Sequence, residues 1–351
     1  MLLNNAMIMG QGLTPNLLKQ SVAIVGANGY SGVELARILL NHPNADLKAC
    51  FVRDTKWRLS HEIFDKKAES VSTLNFHDLI PLARDFKFIF LATPIEVSLE
   101  LVPRLVAQTK IIDLSGAFRL SEAHEAHYGL IPWNTGQNSS LVSNPGCYAT
   151  SCLMALIPLL KNKLVDPSNI VIDAKSGTTG AGRSAKENLL FSEVSESCLP
   201  YKIGIHQHLP EIKKYADFFS GANTDIQLTT HLLPIRRGII SSIYLKRHSQ
   251  FSLESEAKYL SSMTQAYEEF YGKEPLVRFG SVDDNSKLLS LRAVVGSPRT
   301  HISYVVRDQK IFVFSCIDNL LKGAASQAVE NWNAQNQWST DLGLEQIEGT
   351  L

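Results

Sequence analysis

The sequence predicts an α/β fold in two units, and three observations carry that expectation. In the first part of the chain, short continuous apolar runs alternate with stripes of helical period. Further on, the strand candidates instead mix β-branched residues with polar alternation. The length, 351 residues, asks for about two domains at roughly 150 residues each. Strands separated by helices imply a parallel sheet wound with right-handed crossovers. Alternating strands imply an antiparallel sheet with one covered face.

Residues 1–20 read as a leader without a defined pattern. Val22–Val25 is a strand buried on both faces, stopped by Gly26. Val33, Leu35, Ala36, Leu39 and Leu40 then keep helical spacing until His42-Pro43 ends them. Further strands are expected at Leu47–Val52, Phe86–Ala92 and Lys110–Leu114, with a helix at Glu96–Ala107. The second half offers strands at Ile170–Ala174, Asp225–Leu233, Gly238–Lys246, His301–Val306 and Lys310–Ser315. A stripe of Leu253, Ala257, Leu260, Met263, Tyr267, Phe270 and Tyr271 predicts a helix packed on that sheet. Leu320, Leu321, Ala324, Ala325, Ala328, Val329 and Trp332 predict another. The polar stretch beyond Asn333 reads as a loose tail.

Composition excludes several classes. Lys+Arg and Asp+Glu both number 34, so no basic excess points to nucleic acid or a membrane surface. No apolar run is long enough for a transmembrane helix. Five cysteines, with no C-x-x-C and no Cys/His cluster, suggest neither a disulfide framework nor a metal site. A reducing cytoplasm is the expected compartment.

Gly26-Ala27-Asn28-Gly29-Tyr30-Ser31-Gly32 lies between a strand and a helix, where small residues let a pyrophosphate approach the backbone and the helix start. Its spacing, G-x-x-G-x-x-G, differs from the commoner G-x-G-x-x-G. At the end of the second strand, Arg53 suits the 2′-phosphate of NADP, although Asp54 follows it.

Cys147, in Asn144-Pro145-Gly146-Cys147-Tyr148, stands where a helix pattern begins. A helix start lowers a thiol pKa and offers free amides as oxyanion donors, so a nucleophile is expected there. Among ten histidines, His206 and His208 are the best candidate bases. Glu211, three residues beyond His208, could fix its tautomer. Asp173–Arg183 is a glycine-rich loop that suits a flat ring or a phosphate. Arg119, Arg183 and Arg237 are possible anion partners.

Together these segments resemble N-acetyl-gamma-glutamyl-phosphate reductase, the family acting in arginine biosynthesis. The resemblance is carried by Gly26–Gly32 with Glu34-Leu35, Asp113–Arg119, Asn144–Tyr148, Asp173–Arg183, Leu190–Val194, His206–Ile212 and Ile317–Ala325, and it spans Ser21 to Trp332. It implies a Rossmann-type NADP-binding domain (residues 21–146, completed by a C-terminal helix in 319–351). It also implies a catalytic and oligomerisation domain (147–318) of the glyceraldehyde-3-phosphate and aspartate-semialdehyde dehydrogenase type. The implied reaction is NADPH-dependent reduction of an acyl phosphate to a semialdehyde through a thioester on Cys147. A histidine moves protons, His208 ahead of His206. By the same resemblance Ser176, Gly177, Gly180 and Asn319 lie near the cofactor, and Arg119, Asn144 and Arg237 near the substrate. A homo-oligomer, dimer or tetramer, is expected. The alternatives are the same chemistry on an aspartyl or aminoadipyl phosphate, a catalytically silent NADP-binding protein, or a cysteine hydrolase. The chain departs from the family at Trp133, Ala149, Val295 and Pro298.

Overall fold

The computed structural model describes residues 19–121, 126–136 and 138–347. Most of the expected leader and the last four residues of the expected tail lie outside these.

Seven strands form a wholly parallel sheet: β1 (Gln20–Val25), β2 (Ala45–Val52), β3 (Ser72–Asn75), β4 (Phe88–Leu91), β5 (Lys110–Asp113), β6 (His127–Tyr128) and β7 (Leu141–Ser143). Their order is β3-β2-β1-β4-β5-β7-β6. Chain direction across the sheet reverses between β1 and β4, which opens a crevice at the carboxyl ends of those strands. The helices of this half are α1 (Tyr30–Asn41), α2 (Lys66–Glu69), α3 (Leu79–Leu82) and α4 (Ile95–Leu105). The apolar runs read as strands are buried on both faces: Val22, Ala23, Ile24 and Val25 are all fully covered. One face packs under α1, the other under α3 and α4.

The second sheet comprises β8 (Ile170–Ser176), β9 (Leu199–Tyr201), β10 (Ile226–Leu232), β11 (Ile239–Lys246), β12 (Val277–Ser281), β13 (Thr300–Arg307) and β14 (Lys310–Ile317). Its order is β12-β13-β14-β11-β8-β10-β9. It is mixed rather than antiparallel, because β8–β10 and β12–β13 pair in parallel. The link from β8 to β10 passes through α6 (Phe191–Val194) and α7 (Leu209–Ser220), a helical crossover of the kind parallel pairing requires. Burial alternates along β8 and β10 as expected for one covered face.

Covering that face is α5 (Cys147–Lys161), buried from Tyr148 to Leu160. A helix apolar all round belongs inside a core, and α5 fills the second one together with α8 (Glu256–Tyr271). The expected stripe starts too early. Leu253 is 99% exposed and precedes α8, whose buried side begins at Tyr259.

The chain then returns to the first half through a π-helical turn (Leu321–Ala325) and α9 (Ser326–Gln335), every residue of which is buried. The Trp332 ring contacts Phe88, Phe90, His42 and Trp338. Removing a tryptophan so placed costs about 3–5 kcal/mol. The segment beyond Asn333 is packed rather than loose. Trp338 and Ile347 lie against this core and Leu344 is fully buried in it. Gln20 also donates to Asn336 at 2.6 Å, joining β1 to the tail.

Candidate functional site

A cleft of about 840 Å³ runs from the end of β2 across the glycine loop to the start of α5. Its dinucleotide side is built by local backbone rules. Gly26 has φ +80, and a Cβ there would stand 2.5 Å from the Ala92 carbonyl oxygen, so only glycine fits between β1 and β4. The chain then enters α1, which has no side-chain cap and no acidic residue in its first turn. Its leading amides thus need a partner from outside the chain, as a pyrophosphate would supply. Asn28, Gly29, Tyr30, Ser31 and Gly32 all line the cleft, and exposed Arg53 stands at its β2 end. These residues fit a dinucleotide.

The opposite wall is less uniform than expected. Gly180 and Asn319 line the cleft. Asn319 donates to Thr179 Oγ1 at 3.0 Å and accepts from the Gly238 amide at 2.8 Å, which holds the 178–181 turn in place. Ser176 and Gly177 stand behind that turn, with the Gly177 amide bonded to the Gly238 carbonyl.

At the far end Cys147 opens α5, with Gly146 as N-cap. The Cys147 side chain forms part of the cleft wall, yet it sits so deep that burial pushes its thiol up to about 11. Arg119 and the amides of Tyr148 and Cys147 pull in the opposite direction without winning. The expected low thiol pKa is therefore not found in this arrangement, because desolvation outweighs the helix start. Deprotonation then needs a base.

His208, on the same wall of the cleft, is the candidate base. A Cβ on Gly146 would stand 2.4 Å from its Nε2, so the imidazole lies directly over the residue before Cys147. Burial, then Arg119, His206 and Lys202, keep His208 neutral by pushing its pKa well below the usual histidine value. Nε2 faces Arg119 Nη1 at 3.4 Å. An arginine can only donate, so Nε2 is the bare nitrogen and the proton sits on Nδ1, which is buried with no partner among the described residues.

Glu211 does not orient this ring. Its Oε1 accepts from the Tyr128 hydroxyl and the Gly146 amide, both at 2.8 Å, and its Oε2 faces Arg119 at 3.4 Å. The reason is local. His208 is the N-cap of α7 and Glu211 lies inside the helix, so the two side chains diverge. His206 lies outside the cleft wall. It accepts from the His208 amide at 3.2 Å and packs edge-on against Tyr148 and Tyr201, and burial lowers its pKa to about 4.

Of the three expected substrate contacts, only Arg119 lines the cleft. Its Nε donates to the Asn144 carbonyl at 2.8 Å and its Nη2 to the Leu114 carbonyl at 2.9 Å. Asn144 is instead a strut: its side chain donates to the Ala324 carbonyl and accepts from Asn331. Arg237 is tied to Glu34 and Asp318, each at 3.0 Å, and joins α1 to the end of β14. None of Trp133, Ala149, Val295 and Pro298 lines the cleft, so the departures from the family pattern leave it intact.

Sequence reasoning missed Tyr128 and gave Asp113 no role. Asp113 is fully buried at the end of β5 and accepts from Ser98, from the Ser115 hydroxyl and from the Ser115 amide. It thereby shapes the Ser115-Gly116 floor of the cleft. An acid closing an apolar strand was its only signal. Among the described residues, no cluster of three His, Cys, Asp or Glu is placed to hold a metal, and no helix is long and apolar enough to cross a membrane.

Comparison with known proteins agrees with this geometry. Residues 21–140 match the family model "Semialdehyde dehydrogenase, NAD binding domain", and residues 147–319 match "Semialdehyde dehydrogenase, dimerisation domain". An N-acetyl-gamma-glutamyl-phosphate reductase of Geobacillus thermodenitrificans is 38% identical, covering 92% of this chain and 97% of its own length. One of Staphylococcus saprophyticus is 35% identical with the same coverage. Among solved structures, aspartate semialdehyde dehydrogenase II of Vibrio cholerae shares the fold. Its TM-score is 0.72 at 16% identity, over 91% of this chain and 98% of that one. The chain belongs to the N-acetyl-gamma-glutamyl-phosphate reductase family of semialdehyde dehydrogenases.

Proposed function

We propose that this chain reduces N-acetyl-L-glutamyl 5-phosphate to N-acetyl-L-glutamate 5-semialdehyde, with NADPH as reductant and Cys147 as the acyl carrier. One observation carries the assignment of roles: neutral His208 lies over Gly146, the residue before Cys147, and lines with Cys147 the end of a cleft continuous with the glycine loop.

His208 Nε2 takes the proton from Cys147 Sγ, and Arg119 offers the thiolate a nearby positive charge. The sulfur attacks the acyl carbon. The bond from that carbon to the phosphate oxygen breaks, phosphate leaves, and a thioester remains on Cys147. The amides of Cys147 and Tyr148, which face the sulfur at the start of α5, would receive the developing oxyanion. NADPH, when bound, would supply the hydride that reduces the thioester carbonyl. The resulting thiohemiacetal oxygen takes the proton held by His208. When the C–S bond breaks, that proton returns to His208, the semialdehyde departs and the thiolate is restored.

Asn28, Gly29, Tyr30, Ser31 and Gly32 would hold the cofactor's pyrophosphate, Arg53 would meet its 2′-phosphate, and Gly180 with Asn319 would wall the cleft on the opposite side. Arg119 Nη1, held only by contacts of 3.4 Å, can turn to a substrate anion. Glu211 and His206 are positioning residues. The match to a dimerisation model supports a homo-oligomer, and the biosynthetic role supports a cytoplasmic location.

The test runs the reaction backwards, with N-acetyl-glutamate semialdehyde, phosphate and NADP, following reduced nicotinamide. Turnover with this semialdehyde in preference to the aspartate and aminoadipate analogues is expected. Mass spectrometry of quenched enzyme should find the acyl group on Cys147. Preference for another analogue would move the substrate, and absence of the adduct would remove the thioester.

A further inference from the structure

The two walls of the cleft are joined by one side chain that the reaction above does not use. Arg183 follows the glycine-rich turn of the second half. Its guanidinium donates to both carboxylate oxygens of Glu62, at 2.7 and 2.9 Å. It donates also to the Asn28 carbonyl at 2.8 Å and lies over the Tyr30 ring, 5.5 Å from the centroid. Asn28 and Tyr30 flank Gly29 in the loop that opens α1, and Glu62 belongs to the segment between β2 and α2. Trp57 holds Glu62 from behind, donating to the same carboxylate at 3.2 Å.

An exposed ion pair contributes only about 0–1 kcal/mol to folding, so stability does not account for four converging contacts. Their position does. Arg183 and Ser184 line the cleft on one side, and Asn28 and Tyr30 on the other. Just before Arg183, Gly182 has φ +85 while nothing lies within 4 Å of where its Cβ would be. Glycine there serves the backbone rather than the space, and it leaves the arginine on a segment that can turn away.

We propose that Arg183 is a positioning residue that clasps the cofactor cleft, bridging its walls through Glu62 and the Asn28–Tyr30 turn and setting the rate at which the bound dinucleotide leaves. The proposal rests on the reading of the cleft as an NADPH site. A dinucleotide seated between the walls leaves only after the bridge opens, so breaking the bridge raises the dissociation rate. A planar fork is needed to hold a carboxylate and a carbonyl together, which a lysine cannot do equally well.

The experiment is displacement of NADPH from the full-length protein, followed by nicotinamide fluorescence in a stopped-flow instrument. Wild type is compared with Arg183→Gln, Glu62→Gln, the double variant and Arg183→Lys. Each Gln variant should release NADPH about tenfold faster, a change worth ~1.4 kcal/mol. The double variant should be no faster than either single one, and Arg183→Lys should fall between. The KM for NADPH should rise while that for the acyl substrate stays unchanged. Release from Arg183→Gln at the wild-type rate would overturn the clasp. So would fast release from Arg183→Gln with wild-type release from Glu62→Gln, since Arg183 would then grip the cofactor directly. Failure of the wild type to bind NADPH at all would instead remove the cofactor reading beneath the proposal.

Discussion

The Gly146 amide donates a 2.8 Å hydrogen bond to Glu211 Oε1, which ties the first turn of α7 to the turn that presents Cys147. Sixty-five residues separate the two in sequence. Through this bond the second half of the molecule fixes the aim of a nucleophile that the first half delivers.

Replacing Glu211 separates aim from stability. Glu211→Gln keeps an acceptor for the Gly146 amide but loses the charge facing Arg119. Its turnover is expected to fall about tenfold through the loss of that charge beside Arg119, with the thiol still aimed and the protein still folded. Glu211→Ala also strips the Gly146 amide and the Tyr128 hydroxyl of their acceptor, so turnover should fall on the order of 100-fold and stability by about 3–5 kcal/mol. Urea denaturation and steady-state kinetics on both variants check the pair.

The two histidines should differ sharply. His208→Ala removes the proposed base and is expected to lower kcat by about 10²–10⁴-fold. His206→Ala removes a packed ring that bonds the His208 amide, so a smaller loss is expected. Alkylation of Cys147 by iodoacetamide across a pH series is the second readout. It should shift to higher pH in His208→Ala, and an unshifted profile would assign the base elsewhere.

Arg53 should decide between the two nicotinamide cofactors. A charge-assisted contact to the 2′-phosphate is worth about 1.5–3 kcal/mol. Arg53→Ala should therefore raise the KM for NADPH by about 10–100-fold and leave that for NADH nearly unchanged. Equal effects on both would exclude Arg53 as the phosphate contact.

Acid should weaken the fold through histidines buried in their neutral form. His42 is the clearest case. Its Nε2 is 3.0 Å from Asn333 Oδ1, its Nδ1 accepts from the Asn44 amide, and burial lowers its pKa to about 4. The unfolded chain takes up a proton on this ring near pH 6.5 and the folded chain does not. The contribution is thus complete above about pH 6.5 and declines toward pH 4, by roughly 1.4 kcal/mol per pH unit. His206 and His301 carry the same sign, each with a pKa of about 4. Glu330 opposes them: burial raises its carboxyl to about 7, so its contribution is lost as pH rises from about 4.5 to 7. Chemical denaturation of wild type and His42→Gln isolates one group. The stability difference between them should shrink as pH falls from 6.5 to 4, and a constant difference would refute the assignment.

Local signals made much of this legible. The glycine loop, the helix after it and the helix start at Cys147 are set by nearest neighbours, and each was readable from a few residues. Partnerships were not. Spacing placed Glu211 near His208, but a residue at an N-cap does not project with one inside the helix, so Glu211 turned to Tyr128 and Gly146. Arg237 and Asn144 carry suitable chemistry, yet partners 81 and 187 residues away, Asp318 and Asn331, absorb them. The tail misled because its few apolar residues, Trp338, Leu344 and Ile347, follow no period, although they pack well.

That tail has a consequence for how the protein is made. The half of the molecule that a ribosome reads first cannot finish its interior alone, since Trp332, Trp338 and Leu344 complete it and Asn336 binds Gln20 across 316 positions. Domains tend to fold in order of synthesis, but here the nucleotide-binding half must wait, its apolar face open, until nearly all of the chain has emerged. Ribosome-stalled chains ending before Trp332 should therefore recruit chaperones that the longer chain sheds.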